Sequence, residues 1–209
     1  MGLVIYQEKT VYMYSGKDTT LHQYLAIGNY MFKRVDSFKY LGTVANKMSN
    51  RSVQVIAWLI MANRAYYGLQ NHMKSKNRNI KTLLYKTLIR PVFTYGAETW
   101  VLSKYDELRL SIFERKILRR IYGPVIDGGR WRIRTNHELY QLYGENDIVK
   151  FCKLSRLRWT GHFVCQDDNL SRRVLLSEPG GKRPRWRPRL HWEDGVKEDA
   201  AKLGVETGQ

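Results

Sequence analysis

The sequence predicts an α+β protein, mainly α. A small N-terminal antiparallel hairpin or sheet comes first, then a three-helix bundle and a basic helical tail. Three observations carry this. Aromatic and apolar residues alternate at period two through the first 44 or so residues, and from Ser49 the period turns helical. A Pro/Arg-rich segment at 178–189 then separates the last short helix from the rest. With 209 residues and 43% hydrophobic content, the chain can bury a core. The divisions expected are 1–45, 46–124 and 125–209.

The strands come first. "LVIY" and "TVYMYS" flank the polar break Gln7-Glu8-Lys9, and "GNYMFKRV" and "SFKYLGTV" follow. Tyr30 and Phe32, like Phe38 and Tyr40, sit two apart, as a half-buried pleated surface requires. Asp36-Ser37 between these runs suits a tight turn, predicting a β-hairpin over residues 29 to 43. The first helix has Val55, Leu59, Ala62, Tyr66 and Leu69 on one face, with Ser49 or Asn50 as N-cap.

A second helix runs from about Asn79 to Arg90. Ile80, Leu83, Leu84, Thr87 and Leu88 are expected on its core side, with Arg78, Lys81, Lys86 and Arg90 opposite. Pro91 ends or kinks it. Ser103 with Asp106 reads as a capping box for the third helix, whose stripe is Leu110, Phe113, Ile117 and Ile121. Gly123-Pro124 closes it. After a break at Asp127-Gly128-Gly129, Thr135 and Glu138 cap a short helix near 136 to 143. Asn146 opens another helix to about Val164, and the last helix spans about 191 to 203.

Charge narrows the functional classes. The balance of 36 Lys+Arg against 19 Asp+Glu gives a net +17. Such a field attracts polyanions: nucleic acid first, anionic membrane second, acidic protein third. Between Asp36 and Glu98 lie 61 residues without an acid, carrying ten Lys/Arg. A surface with no partner to attract normally mixes both signs. No apolar run approaches the length of a membrane span, and no membrane contact is expected. Cys152 and Cys165 make no disulfide framework, and the expected setting is intracellular.

The segments "GLVIYQEKTVYM", "FKYLGTVA", "IRPVFTYGAETWVLS", "FERKILRRIYGP" and "RLRWTGHFV…KRPRWRPRLHWEDGV" occur in that order. Together they resemble the C-terminal part of the reverse transcriptase of non-LTR (LINE-type) retrotransposons, an RNA-directed DNA polymerase family. The first resembles the end of the palm, with Lys9 at the turn before a strand. "FKYLG" resembles the primer-grip hairpin, the helices after it the thumb, and the remainder a basic tail. The resemblance covers nearly the whole chain, from Gly2 to about Gly204.

Nucleic-acid contact is therefore expected at several places. Phe38 and Tyr40 offer rings and Lys39 a cation, while Gly42 permits close backbone approach. An ordinary hairpin with its rings packed inward is the alternative for that run. Arg51, Arg78, Lys81, Lys86 and Arg90 are the candidate phosphate contacts of the helices. In the tail, Lys182, Arg183, Arg185, Arg187 and Arg189 with Trp186 form a basic strip, a nuclear-import signal or a solvated linker. A nuclear setting would follow from the second of these.

Catalysis is not expected of this chain. Two-metal phosphoryl transfer needs at least two closely placed carboxylates. The resemblance puts those aspartates, and the Mg²⁺ they would hold, in palm motifs upstream of the first matched segment. Asp167-Asp168 is a decoy, following a helix without an aromatic leader. Cys152, His162 and Cys165 match no zinc-finger spacing. No cofactor and no small-molecule substrate are expected. The function expected is binding of an RNA–DNA or DNA duplex through its backbone, as a truncated reverse-transcriptase fragment. A basic protein docking an acidic partner, or a remnant without a function, are the alternatives.

Overall fold

A computed structural model describes residues 5–14, 22–40, 43–46, 51–165 and 192–202. The described residues form an α+β protein, mainly α, as expected. The chain divides into two compact units, Met1–Ile56 and Ala57–Gln209.

In the first unit, one 3-10 turn (Gln7–Lys9) leads into β1 (Val11–Tyr12). β2 (Tyr24–Ile27) and β3 (Tyr30–Arg34) pair antiparallel, and β1 pairs parallel with β3, giving the order β1-β3-β2. β4 (Ser37–Tyr40) and β5 (Thr43–Asn46) make a separate antiparallel pair. The expected hairpin over 29 to 43 is thus corrected to two hairpins. Val35 still donates to the Tyr12 carbonyl at 3.0 Å, so the chain stays extended past Arg34 and does not reverse at Asp36-Ser37. The reversal is instead at Gly28-Asn29, where Ile27 pairs with Tyr30 and Gly28 takes a φ of 56°. Sequence reading missed β2 altogether.

α1 (Arg51–Gly68) follows, and the expected caps Ser49 and Asn50 lie outside the described residues. In the second unit, α2 (Arg78–Leu84) is capped by Asn77, whose side chain accepts from the Asn79 and Ile80 amides. One π turn (Tyr85–Ile89) joins it to α3 (Arg90–Phe93). Within this turn the Arg90 amide reaches back five residues to the Tyr85 carbonyl. The widened turn sits immediately before Pro91, whose ring and missing N–H cannot continue an ordinary ladder. The helix therefore bulges and goes on.

The core side of this segment also departs from expectation. Ile80, Leu83 and Leu88 are exposed, and the buried spine is Tyr85, Ile89 and Phe93. Apolar residues surround this helix on most sides, so periodicity alone does not choose between stripes. The larger side chains take the interior: Phe93 meets Phe113 edge-on, and the Tyr85 hydroxyl finds a buried acceptor.

α4 (Lys104–Tyr122) is the organising helix, and α2, α5 and α6 pack on it. Its capping box between Ser103 and Asp106 and its buried stripe of Leu110, Phe113, Ile117 and Ile121 are as the sequence predicts. After Gly123, β6 (Val125–Asp127) and β7 (Arg130–Arg132) form a hairpin around Gly128-Gly129, both at positive φ. α5 (Asn136–Tyr143) carries the expected Thr135–Glu138 capping box. α6 (Ile148–Val164) starts from Asp147, one residue after the expected opening, and α7 (Trp192–Lys202) packs against it.

Glu114 on α4 is fully buried and ties three elements together. It accepts from the Tyr85 hydroxyl at 2.8 Å, the Tyr140 hydroxyl at 3.0 Å and the Ile148 amide at 2.8 Å. Burial raises its carboxyl above the ordinary range, against the opposing pull of those donors. Elsewhere Trp58 stacks on Trp100 at 3.8 Å, joining α1 to the segment before α4.

Candidate nucleic-acid interface

In the first unit, Phe38, Lys39 and Tyr40 of the "FKYLG" run lie in β4. Phe38 is half-buried opposite Ala45, and Lys39 is exposed opposite Val44, on the other face of the strand. Tyr40 pairs with Thr43. Gly42 lies outside the described residues, as do Lys182, Arg183, Arg185, Trp186, Arg187 and Arg189. Arg51 is the first residue of α1.

In the second unit, the predicted basic face of α2 is divided by the fold. Arg78 is exposed at the start of the helix and Lys81 half-buried one turn on. Lys86 and Arg90 are different: both are closed onto Glu145. Lys86 Nζ is 2.5 Å from Glu145 Oε1 and Arg90 Nη1 is 3.0 Å from Oε2. Arg90 also donates to the Tyr143 hydroxyl at 2.9 Å and lies over the Phe151 ring. These bonds hold the Glu145 carboxyl below the usual range, Lys86 most strongly. Both were expected to be open phosphate contacts; the structure makes them internal fasteners. The reason is that the neutralising acid comes from the α5–α6 connection, 55 residues further along than Arg90.

The densest open stretch in this part of the sequence is the edge from the end of α1 to the start of α2. Arg64, Lys74, Lys76 and Arg78 are exposed, and with Lys81 none is ion-paired to a described acid. Three of these, Lys74, Lys76 and Arg78, fall within five residues. The Asn77 side chain is turned to the α2 amides, so it does not screen them. Arg64, Lys74 and Lys76 belong to the acid-free run but are not among the expected contacts. The absence of any acid near them in sequence was the available signal.

Several other bases are paired or bonded within the fold, while Lys116, Arg130, Lys150, Arg158 and Lys197 are exposed without an ion pair to a described acid. Arg132 is held by Asp127 and Glu138, and its hydrogen bonds bring Glu138 down to about 2. Arg134 donates to the Gly123 and Pro124 carbonyls. Arg156 is buried against Asp199 and donates to the Trp100 carbonyl at 3.0 Å. Lys153 reaches Glu107 at 2.9 Å.

Among the described residues, no three His, Cys, Asp or Glu side chains come together as metal ligands. Cys152 is buried and its thiol pushed up to about 12 by that burial, while Cys165 is exposed. No helix among the described residues is long and apolar enough to cross a membrane.

The fold and this edge define a mainly α, α+β protein with an open cluster of cations on its helical unit. Comparison with known proteins adds one relation. Over 168 residues the chain is 25% identical to a transposon-derived protein of Caenorhabditis elegans, covering 79% of this chain and 60% of that protein. The chain thus spans about three fifths of the length of the relative it matches. No protein-family model and no solved structure matches it.

Proposed function

We propose that the chain is a reverse-transcriptase-type fragment of retrotransposon origin that binds an RNA–DNA or DNA duplex through its phosphate backbone and does not itself polymerise. The observation that carries this reading is the open edge of Arg64, Lys74, Lys76, Arg78 and Lys81, cations with no described acid paired to them. Fixed on helix ends and a short connection, such cations track phosphates without reading sequence. The similarity to a transposon-derived protein and the order of the five reverse-transcriptase-like segments support the same reading. On this reading the hairpin bearing Phe38 and Lys39 is the primer-grip counterpart and the helices of the second unit the thumb.

The test is the salt dependence of duplex binding. Each phosphate contact contributes about −0.9 to the slope of log affinity against log salt for B-form DNA. The triple substitution Lys74→Ala, Lys76→Ala and Arg78→Ala should flatten the slope by about 2.7. Substituting Glu145→Gln should not flatten the slope, and should steepen it if the released Lys86 and Arg90 reach phosphates. A triple variant with the wild-type slope refutes the assignment. Primer extension by the purified chain with Mg²⁺ and a primed template would refute the non-polymerising part.

A further inference from the structure

The β6–β7 hairpin has a feature the duplex reading does not use. Trp131, near the tip, is 69% exposed, whereas Trp58 and Trp100 are buried at 5% and 6%. Its cross-strand partner is Ile126, 57% exposed, so the two share one face of the hairpin as an open apolar step. The hairpin is held firmly from behind. Arg132 is clamped by Asp127 at 2.7 Å and by both oxygens of Glu138, and Arg134 is bonded to two main-chain carbonyls. A large ring on a fastened ribbon loses little freedom when something stacks on it.

The surroundings select the occupant. From Arg115 to His137 the chain carries seven Lys/Arg and one acid, Asp127. That acid is bound to Arg132, while Arg130, next in sequence to the tryptophan but on the opposite face of the strand, is exposed at the hairpin tip. A flat, exposed aromatic face on a hairpin whose tip carries an exposed arginine, in a chain of net charge +17, suits a base of a polyanionic strand. The apolar step is only a few side chains wide, small for a protein interface core.

We infer that the hairpin is a single-strand contact: Trp131 stacks on an unpaired base of a single-stranded nucleic acid. This extends the proposed backbone contact to a base contact, and rests on that reading only for the class of polyanion.

The test measures binding of the full chain to a labelled oligothymidylate of about a dozen nucleotides, the same strand with abasic sites, a blunt duplex, and phosphatidylserine vesicles. Trp131→Ala should weaken binding to the oligothymidylate roughly 5- to 100-fold with an unchanged salt slope. Trp131→Phe should retain most of the affinity, and the abasic strand should be insensitive to the substitution. Duplex binding should not change. Both variants alter an exposed side chain, and unchanged circular dichroism verifies folding. Equal losses on single strand and duplex, no loss on either, or a loss confined to vesicles would each overturn the inference. Wild-type protein that binds duplex but not oligothymidylate overturns it while the backbone reading stands. Binding of oligothymidylate alone, dependent on Trp131, does the reverse, and binding to neither overturns both.

Discussion

Glu114 offers the sharpest test of how the helical unit is held. Its carboxylate is the shared acceptor for the Tyr85 hydroxyl, the Tyr140 hydroxyl and the first amide of α6. Replacing it with alanine strands the Tyr85 hydroxyl and the Ile148 amide, both in fully buried residues, whereas half-buried Tyr140 can turn to water. A stranded buried donor costs about 1–3 kcal/mol, and removing an unfavourably buried carboxylate returns part of that. The net loss for Glu114→Ala is then about 3–4 kcal/mol. Glutamine keeps one oxygen for Ile148 and Tyr140 but turns an NH₂ towards Tyr85, for about 1–2 kcal/mol. With a urea slope of about 2 kcal/mol/M, the midpoint followed by far-UV circular dichroism falls by about 1.5–2 M for alanine and at most about 1 M for glutamine.

The pH dependence carries a sign that can fail. Burial raises the Glu114 carboxyl above its ordinary value, so between that value and the raised one the folded state binds more protons than the unfolded state. Stability from this group is therefore fully present below the ordinary glutamate range and is lost as pH rises through the raised value. Subtracting the Glu114→Gln curve from wild type should leave a difference that declines with rising pH across that window. A difference that is flat, or that climbs with pH, would mean the three donors outweigh burial, and the reasoning would be wrong.

Three further outcomes follow from the same contacts. Arg156→Met should destabilise the α6–α7 junction by about 3–5 kcal/mol, since it leaves buried Asp199 with only Lys153 nearby at 3.9 Å. Adding Asp199→Leu should recover part of that loss in a thermal melt; no recovery would mean the pair is not coupled. Maleimide at neutral pH should label one thiol in the native protein, Cys165, and two after unfolding, because Cys152 is buried and its thiol sits near 12. Native labelling that survives Cys165→Ser would contradict this. Gly129→Ala should cost about 1–2 kcal/mol at a φ of 79° and speed hydrogen exchange in β6–β7, although the space around it is open.

Signals confined to a few neighbouring residues were legible in the sequence. The boxes at Ser103–Asp106 and Thr135–Glu138 need only four residues each, and both form. The stripe of α4 was readable because its polar positions alternate cleanly with Leu110, Phe113, Ile117 and Ile121. α2 was not, because Ile80, Leu83 and Leu88 compete with Tyr85, Ile89 and Phe93, and the choice depends on Glu114 and Phe113 from another helix. The Gly28-Asn29 and Gly128-Gly129 turns carry hairpin chemistry, with Gly28, Gly128 and Gly129 at positive φ, where the expected organisation has no turn at the first and a break at the second. The site was legible in the same proportion: its cationic character was plain, but which cations stay open was not.

That last distinction follows from where the acids lie. An acid-free run of 61 residues suggests a uniformly unpaired face, yet Lys86 and Arg90 within it are neutralised by Glu145 from far downstream. The acids of the helical unit are used mainly as fasteners: Glu145 for Lys86 and Arg90, Glu138 and Asp127 for Arg132, Asp199 for Arg156, Glu107 for Lys153. Each such pairing removes a cation from the part of the surface a polyanion can use and fixes an element in place. What is left includes the run from Arg64 to Arg78, at the end of α1, the connection after it and the start of α2. Salt screens exposed cations over about 8 Å at physiological strength but reaches a buried pair such as Arg156–Asp199 far less. Raising salt should therefore weaken binding before it weakens the fold, and a salt slope measured on this protein reports contacts with its partner.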